Sequence, residues 1–279
     1  MKTPTISVIV PTKNSARTLE ACLQSVKAQT YKHVELVVVD NFSTDTTPEI
    51  AQKYADKFFT KGPERSQQRN FAVEQASGNC VAIIDSDMKL SPEVLEQAVA
   101  AMGEEGVVGV LIPEESFGEG FWAQCKKLER SFYIGVSWMQ AARVFTREHY
   151  LALGGYNADL VSGEDWDLSQ RAAASGKLQE IDALIYHDEG RLSLGRTLSK
   201  KFYYATKFTA YTDSAKTQGE QSVQQQTGII GRYMLFFKKP AKLFANPVLG
   251  IGMLVMKTLE FGWGGVGLIV GKLQQKKHA

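Results

Sequence analysis

A chain of 279 residues can bury a substantial core and has room for one domain with an appendage. Its charges nearly cancel, to a formal +2, which says little about partners, and no nucleic-acid partner is expected. Its three cysteines, Cys22, Cys80 and Cys125, are odd in number and lie in no metal-ligand spacing, which sets aside a disulfide framework and reads as reduced packing residues in a cytosolic compartment. Met1-Lys2-Thr3-Pro4 passes at once into a strand, so secretion is not expected.

Residues 6–10 form an apolar run ending in Pro11-Thr12-Lys13-Asn14, and residues 35–39 form another ending in Asp40-Asn41. Between them, Ala16, Leu19, Leu23 and Val26 recur at helical spacing. Thr47-Pro48 opens a second helix with proline in its first turn, and residues 66–76 supply a third. Val81-Ala82-Ile83-Ile84 then runs straight into Asp85-Ser86-Asp87. Buried parallel strands read as continuous apolar runs, and right-handed crossovers gather their ends on one rim. That rim is where open α/β sheets bind ligands. Asp85 and Asp87 face the same way on an extended chain, and their hard oxygens suit magnesium or manganese; the alternative is a solvated acidic turn. Arg69, in the third helix, is then placed to meet a base or phosphate.

On these residues the chain resembles the inverting, family-2-type glycosyltransferases of the GT-A fold, over roughly residues 5 to 190. Val8-Ile9-Val10-Pro11-Thr12-Lys13-Asn14 is similar to the family's opening strand and nucleotide-contacting turn, and Val37-Val38-Val39-Asp40 to the strand with its base-binding Asp. Gln68-Arg69-Asn70 is similar to its Ala/Gln-Arg-Asn segment, Asp85-Ser86-Asp87 to its Asp-x-Asp, and Gly163-Glu164-Asp165 to its Glu-Asp motif. The resemblance implies an α/β fold with a Rossmann-like, mostly parallel central sheet and helices on both faces. It implies Pro11, Thr12, Asn14, Asp40, Arg69, Asp85 and Ser86 on the donor, Asp87, Asp85 and His187 on a manganese or magnesium ion, and Asp165 with Glu164 at the chemistry, Asp165 as base. Two departures stand out. Asp40-Asn41-Phe42-Ser43 replaces the family's Asp-Asp-Gly-Ser, and the Gln-x-x-Arg-Trp motif of processive synthases is absent, so one sugar per encounter is expected.

Residues 113–120 read as a polar, glycine-punctuated loop, either a surface connection or a mobile element over the donor. Phe121, Cys125, Leu128 and Phe132 have helical spacing. Gly154-Gly155-Tyr156 stops a helix that ends at Leu153. Asp165 heads a helix, where an acid is either a cap or, as the resemblance implies, the base. His187 ends the strand-like run Leu184-Ile185-Tyr186. Trp138, Trp166, Arg191, Arg196, Lys200 and Tyr203 are expected on the acceptor or lipid-phosphate side, with Arg196, Lys200, Tyr203 and Lys207 making a basic aromatic helix face.

Past residue 228, apolar stretches over 233–237, 247–256 and 261–271 are interrupted by Lys257 and Glu260 and flanked by lysines. A charge at mid-bilayer costs about 2.5–3.5 kcal/mol on insertion scales, so an interfacial or re-entrant helical pair on an anionic membrane is expected rather than a span; the alternative is a helix packed on the protein's own core. The expected organisation is a GT-A domain over 1–212 (donor half 5–100, acceptor half 101–190, basic aromatic helix 191–212), a polar connection over 213–228 and membrane-associating helices over 229–279. The expected activity is a metal-dependent transfer of one sugar from a nucleotide donor, UDP-linked by preference, to a hydroxyl of a polyprenyl-diphosphate-linked saccharide at the cytoplasmic face of the membrane. Two rivals are a haloacid-dehalogenase-type phosphatase using Asp85 and Asp87, disfavoured by Lys89, and a catalytically silent membrane scaffold.

Overall fold

The computed structural model describes residues 4–216 and 228–278. Most of the polar connection expected over 213–228 lies outside them. Ile6–Thr12 (β1), Leu19–Lys27 (α1), Val34–Asp40 (β2), Thr47–Tyr54 (α2), Lys57–Thr60 (β3), Arg65–Gln75 (α3) and Cys80–Ile83 (β4) follow one another as alternating strands and helices. Every residue of β1 is buried, which is why its sequence runs apolar without alternation. β1 pairs in parallel with β2 from Ile6↔Val34 to Thr12↔Asp40, and with β4 from Ile6↔Cys80 to Ile9↔Ile83. The register brings Thr12 and Asp40 side by side where the strands end. β3 was not expected: its four residues have no apolar run of their own, and they become a strand by pairing with Val37 to Asp40 of β2.

Met88–Leu90 (β5), Val94–Met102 (α4), Val107–Leu111 (β6), Glu114–Glu119 (β7), Phe121–Ser131 (α5), Ala142–Thr146 (β8), Arg147–Ala152 (α6), Glu164–Ala173 (α7), Lys177–Glu180 (β9) and Ile185–Arg191 (β10) follow, with a 3₁₀ turn at Ser137–Met139. The seven-stranded sheet is ordered β3-β2-β1-β4-β8-β6-β9. Only β8 runs against its neighbours, β4 and β6. Each sheet face buries its own core. Ile6, Val8 and Val10 pack with Leu19, Leu23, Leu95 and Ala98 on one side, and Ile9, Val37 and Val39 with Ala72, Val73 and Leu168 on the other.

The described chain forms two compact units. The first contains residues up to Glu114, Gln140–Ala158 and Asp165–Asp188, and with them the seven-stranded sheet; the second contains Glu115–Met139, Asp159–Glu164 and the chain from Glu189 onward. In the second, Leu194–Lys216 (α8), Ile229–Phe237 (α9), Pro240–Leu243 (α10) and Pro247–His278 (α11) assemble with α5 around Cys125, Phe132, Phe236, Leu243, Met253 and Met256.

Two expectations change. Residues 114–119 are strand rather than loop. Ser116 donates to Glu189 Oε1 at 2.7 Å, and a Cβ at Gly118 would lie 2.5 Å from the carbonyl oxygen of Gly190, so only glycine allows this approach to the end of β10. The second is the helical pair beyond residue 247, which is one continuous helix, α11. Lys257 and Glu260 do not interrupt it, because both side chains are buried and paired: Lys257 reaches Glu129 of α5 and donates to Glu260 at 2.6 Å, while Lys126 lies 2.9 Å from Glu129 and 3.5 Å from Glu260. Burial pushes the Glu129 carboxyl up, but Lys126 and Lys257 together hold it well below the usual range.

The opposite side of α11 exposes Val248, Ile251, Val255, Leu259, Trp263, Val266, Ile269 and Leu273. At 3.6 residues per turn these eight fall within a sector of about 120°. Gly267 and Gly271 face α8 so closely that a Cβ would come within 2.6 Å of the Phe202 and Thr206 carbonyl oxygens.

Candidate active site

The three consecutive residues Gln68, Arg69 and Asn70 point about 100° apart around α3, and each holds a different element. Gln68 donates to the carbonyls of Thr12 and Val39, tying α3 to the ends of β1 and β2 at 3.1 and 2.6 Å. Asn70 donates to the Tyr156 carbonyl and accepts from Tyr156 N and Tyr150 Oη, at 2.7–2.9 Å. Its carbonyl comes so near Gly155, at φ +65°, that a Cβ there would lie 2.5 Å away.

Arg69, with no exposed surface, donates to Asp85 at 2.6 Å and to Asp165 at 3.2 Å. Its guanidinium also lies 4.7 Å from the Tyr156 ring, a cation–π contact that fixes the fork. The Asp-x-Asp and Glu-Asp motifs thus meet on one buried cation. Arg143 of β8, donating to Glu114 at 2.9 and 2.6 Å, brings a second guanidinium 3.6 Å from Asp85. Burial pushes the Asp85 carboxyl up, but Arg69 and Arg143, with Arg65 adding to them, hold it well below the ordinary carboxylate range. Asp85 is therefore the counter-charge to two buried arginines.

Asp87 is placed differently. Its Oδ2 lies 3.5 Å from His187 Nε2, an approach set by β5 and β10, which pair antiparallel with His187 opposite Met88. One carboxylate oxygen and one imidazole nitrogen fit a divalent cation that takes its remaining ligands from a diphosphate and water. Among the described residues no group of three or more His, Cys, Asp or Glu could cage an ion without such help. The Glu-Asp motif divides likewise: Glu164 is buried, whereas the Asp165 side chain is 31% exposed. Gly163 before them has φ +85° and packs on the Tyr211 ring, where a Cβ would lie 2.7 Å away.

At the β1 and β2 ends, Pro11 and Thr12 are buried and Asn14 is exposed. Asp40, 2% exposed, accepts from Thr12 Oγ1 at 2.9 Å and from Ser43 N and Oγ at 2.7 and 2.6 Å. It locks the turn that follows β2. Asn14 joins the same turn, donating its N–H to Ser43 Oγ and accepting from Thr44 N. Ser86 Oγ lies 2.8 Å from Ser15 Oγ. Trp166 is half-buried on α7. In the second unit Trp138 is half-buried in the 3₁₀ turn, Arg191 is exposed at the end of β10, and Arg196, Lys200 and Tyr203 are exposed along α8.

Arg143, Glu114 and Tyr156 escaped the sequence reading. Arg143 left one signal, a lone cation inside the apolar stretch Ala142-Arg143-Val144-Phe145, where a buried charge must have a partner.

The family model for glycosyl transferase family 2 matches residues 7–157. Glycosyltransferase AglE of Haloferax volcanii is 36% identical over 113 residues, 37% of this chain and 37% of that protein. Poly(ribitol-phosphate) beta-N-acetylglucosaminyltransferase TarS of Staphylococcus aureus is 36% identical over 134 residues, 40% of this chain and 23% of that one. The matched stretch spans 23–37% of the length of the first curated relatives. Among solved structures, mannosyltransferase PcManGT from Pyrobaculum calidifontis in complex with GDP-Man and Mn2+ is similar at a TM-score of 0.67 and 18% identity, over 98% of this chain and 88% of that one. S. aureus TarS 1-349 in complex with UDP-GlcNAc is similar at 0.53 and 17%, over 96% and 89%. At those identities the likeness is one of fold.

Proposed function

The chain belongs to glycosyl transferase family 2, as a glycosyltransferase of GT-A fold, and from that premise we propose that it moves one sugar, with inversion, from a nucleotide-sugar donor to a hydroxyl of a lipid-linked saccharide at the cytoplasmic face of the membrane. The phosphatase and scaffold rivals are not favoured by that membership. The observation that carries the reading is Arg69, which holds Asp85 and Asp165 from one buried guanidinium and so joins the donor side to the base.

In this reading the acceptor hydroxyl attacks the anomeric carbon, the bond from that carbon to the diphosphate oxygen breaks, and the nucleoside diphosphate leaves with the electron pair. The hydroxyl proton passes to Asp165, whose Oδ1 accepts from Arg69. An ionised phosphate acceptor would need no such base, which favours a hydroxyl. A divalent ion held by Asp87 and His187 would neutralise charge on the departing diphosphate. The Ser15–Ser86 contact and the Thr12–Asp40–Ser43 turn shape the nucleoside end, and a UDP-linked donor is our first choice. Trp138, Trp166 and the basic aromatic face of α8 serve the acceptor. The lipid surface is met by the exposed stripe of α11, with the exposed Lys238 and Lys239 meeting anionic headgroups, while Lys242 is engaged with the Ser131 carbonyl. The organisation that follows is a GT-A domain to about residue 212 and membrane-associating helices from 229. Free, buried Cys22, Cys80 and Cys125 accord with a reducing compartment.

The test is thermal stabilisation by a panel of nucleotide sugars with and without manganese, followed by turnover on a lipid-linked acceptor and a soluble analogue. A ligand that binds only the native state raises its stability. Finding no stabilisation by any donor would remove the proposal.

A further inference from the structure

The turn after β2 holds a phenylalanine in a left-handed backbone conformation. Phe42 has φ +51°, a left-handed backbone that a bulky side chain adopts only under constraint. Its neighbours supply the constraint: Asn41 N donates to the Thr12 carbonyl at 2.8 Å, Asn41 Nδ2 to the Pro63 carbonyl at 2.5 Å, and Ser43 is bound twice to Asp40. Strain of this kind is normally offset by burial. Phe42 is instead 69% exposed. One side of its ring rests on Gly62, where a Cβ would lie 3.3 Å from Phe42 Cε2, and the rest faces outward.

The place of the ring fits a particular ligand group. Phe42 lies two residues past the end of β2, and its turn is stitched through Asn14 to the turn after β1. Asp87 lies four residues past the end of β4, which lies on the other side of β1. The strands that lead to Phe42 and to Asp87 are thus two strand spacings apart, about 10 Å, on the scale of a nucleoside from its base to its 5′ phosphate. We propose that Phe42 is the stacking platform for the donor's nucleobase, and that the strained backbone is kept because it presents the ring to the base. The inference rests on the nucleotide-donor reading above and adds the residue that grips the base.

The experiment is calorimetric titration of the full chain with UDP, GDP, CDP and ADP in manganese, using wild type, Phe42→Gly and Phe42→Tyr, with pyrophosphate as the probe that lacks a base. Base–aromatic stacking predicts that Phe42→Gly weakens the best-bound nucleotide about five- to a hundredfold. Phe42→Tyr should stay within about twofold, and pyrophosphate should bind all three alike. Because glycine takes a positive φ freely, the melting temperature of Phe42→Gly should be unchanged or higher, so that affinity falls while stability does not. Full nucleotide affinity in Phe42→Gly, or an equal loss of pyrophosphate, overturns the assignment and leaves the donor reading standing. A wild type that binds none of the four nucleotides overturns the donor reading and this inference with it.

Discussion

Arg69 and Asp165 lie 96 residues apart and meet at 3.2 Å, with the other arm of the guanidinium on Asp85. One side chain therefore fixes the distance between the acid on the donor side and the proposed base, and Arg69→Lys, a point charge in place of a fork, cannot hold both.

Asp165→Asn keeps the shape and the contact to Arg69 but cannot accept a proton. Turnover should fall roughly a hundredfold or more while nucleotide affinity stays within a few fold. Steady-state kinetics alongside calorimetry separates the two, and near-normal turnover would return Asp165 to the role of a helix cap.

The two acids of Asp85-Ser86-Asp87 should fail in different ways. Asp87→Ala should abolish manganese-dependent nucleotide binding and cost less stability than Asp85→Ala, since the Asp87 side chain is 37% exposed and lies against His187. Asp85→Ala takes from Arg69 and Arg143 the carboxylate they share, leaving Arg69 to Asp165 and Arg143 to Glu114, and should cost about 1–3 kcal/mol of stability. Denaturant unfolding of both variants checks this. Equal stability of the two would mean that Asp85 does not balance the arginines.

Acid sensitivity should be traceable to Glu35, at the end of the sheet away from the site. Burial pushes its carboxyl up, but Lys57, Ser7 and Ser77 donate to it and hold it down to about 2, below its ordinary 4.5. A lowered carboxyl stabilises the fold above its unfolded value, and the contribution drains away as pH falls from about 4.5 toward about 2. Glu35→Gln should therefore melt lower than wild type at pH 7, by roughly 1–3 kcal/mol of stability, with the gap closing in that window. A gap that stays constant with pH would exclude the carboxylate as its source.

The stripe on α11 gives a membrane test that leaves the fold intact. Ile251 and Trp263 are more than half and half exposed, so Ile251→Glu and Trp263→Glu should fold normally. Each should weaken sedimentation with anionic vesicles by about tenfold, as expected for losing one large apolar group from the interface. Undiminished sedimentation in the double variant would move the contact elsewhere.

Much of this was legible before the structure. β1, β2 and β4 are buried on both faces, so their apolar runs declare them, and the motif residues follow directly in the chain. The short strands β3, β5, β8 and β9 are defined by their partners rather than by their own periodicity. Arg143 and Tyr156 matter through contacts with Asp85 and Arg69, at separations no local pattern spans. Lys257 and Glu260 looked like breaks in an apolar segment because Glu129, which neutralises Lys257, lies far back along the chain on α5.

The close fit of Gly267 and Gly271 against α8, with Lys257 anchored to α5, bears on how the exposed stripe of α11 could be altered. Cutting the chain before α11 would bare the backbone-tight face of α8 and strip Lys257 from the Glu129 carboxylate, replacing one apolar surface by a larger one. Altering the stripe should instead keep the helix whole and replace only the outward side chains, from Val248 to Leu273, with polar ones. The helix is part of the scaffold on one side and a removable coating on the other.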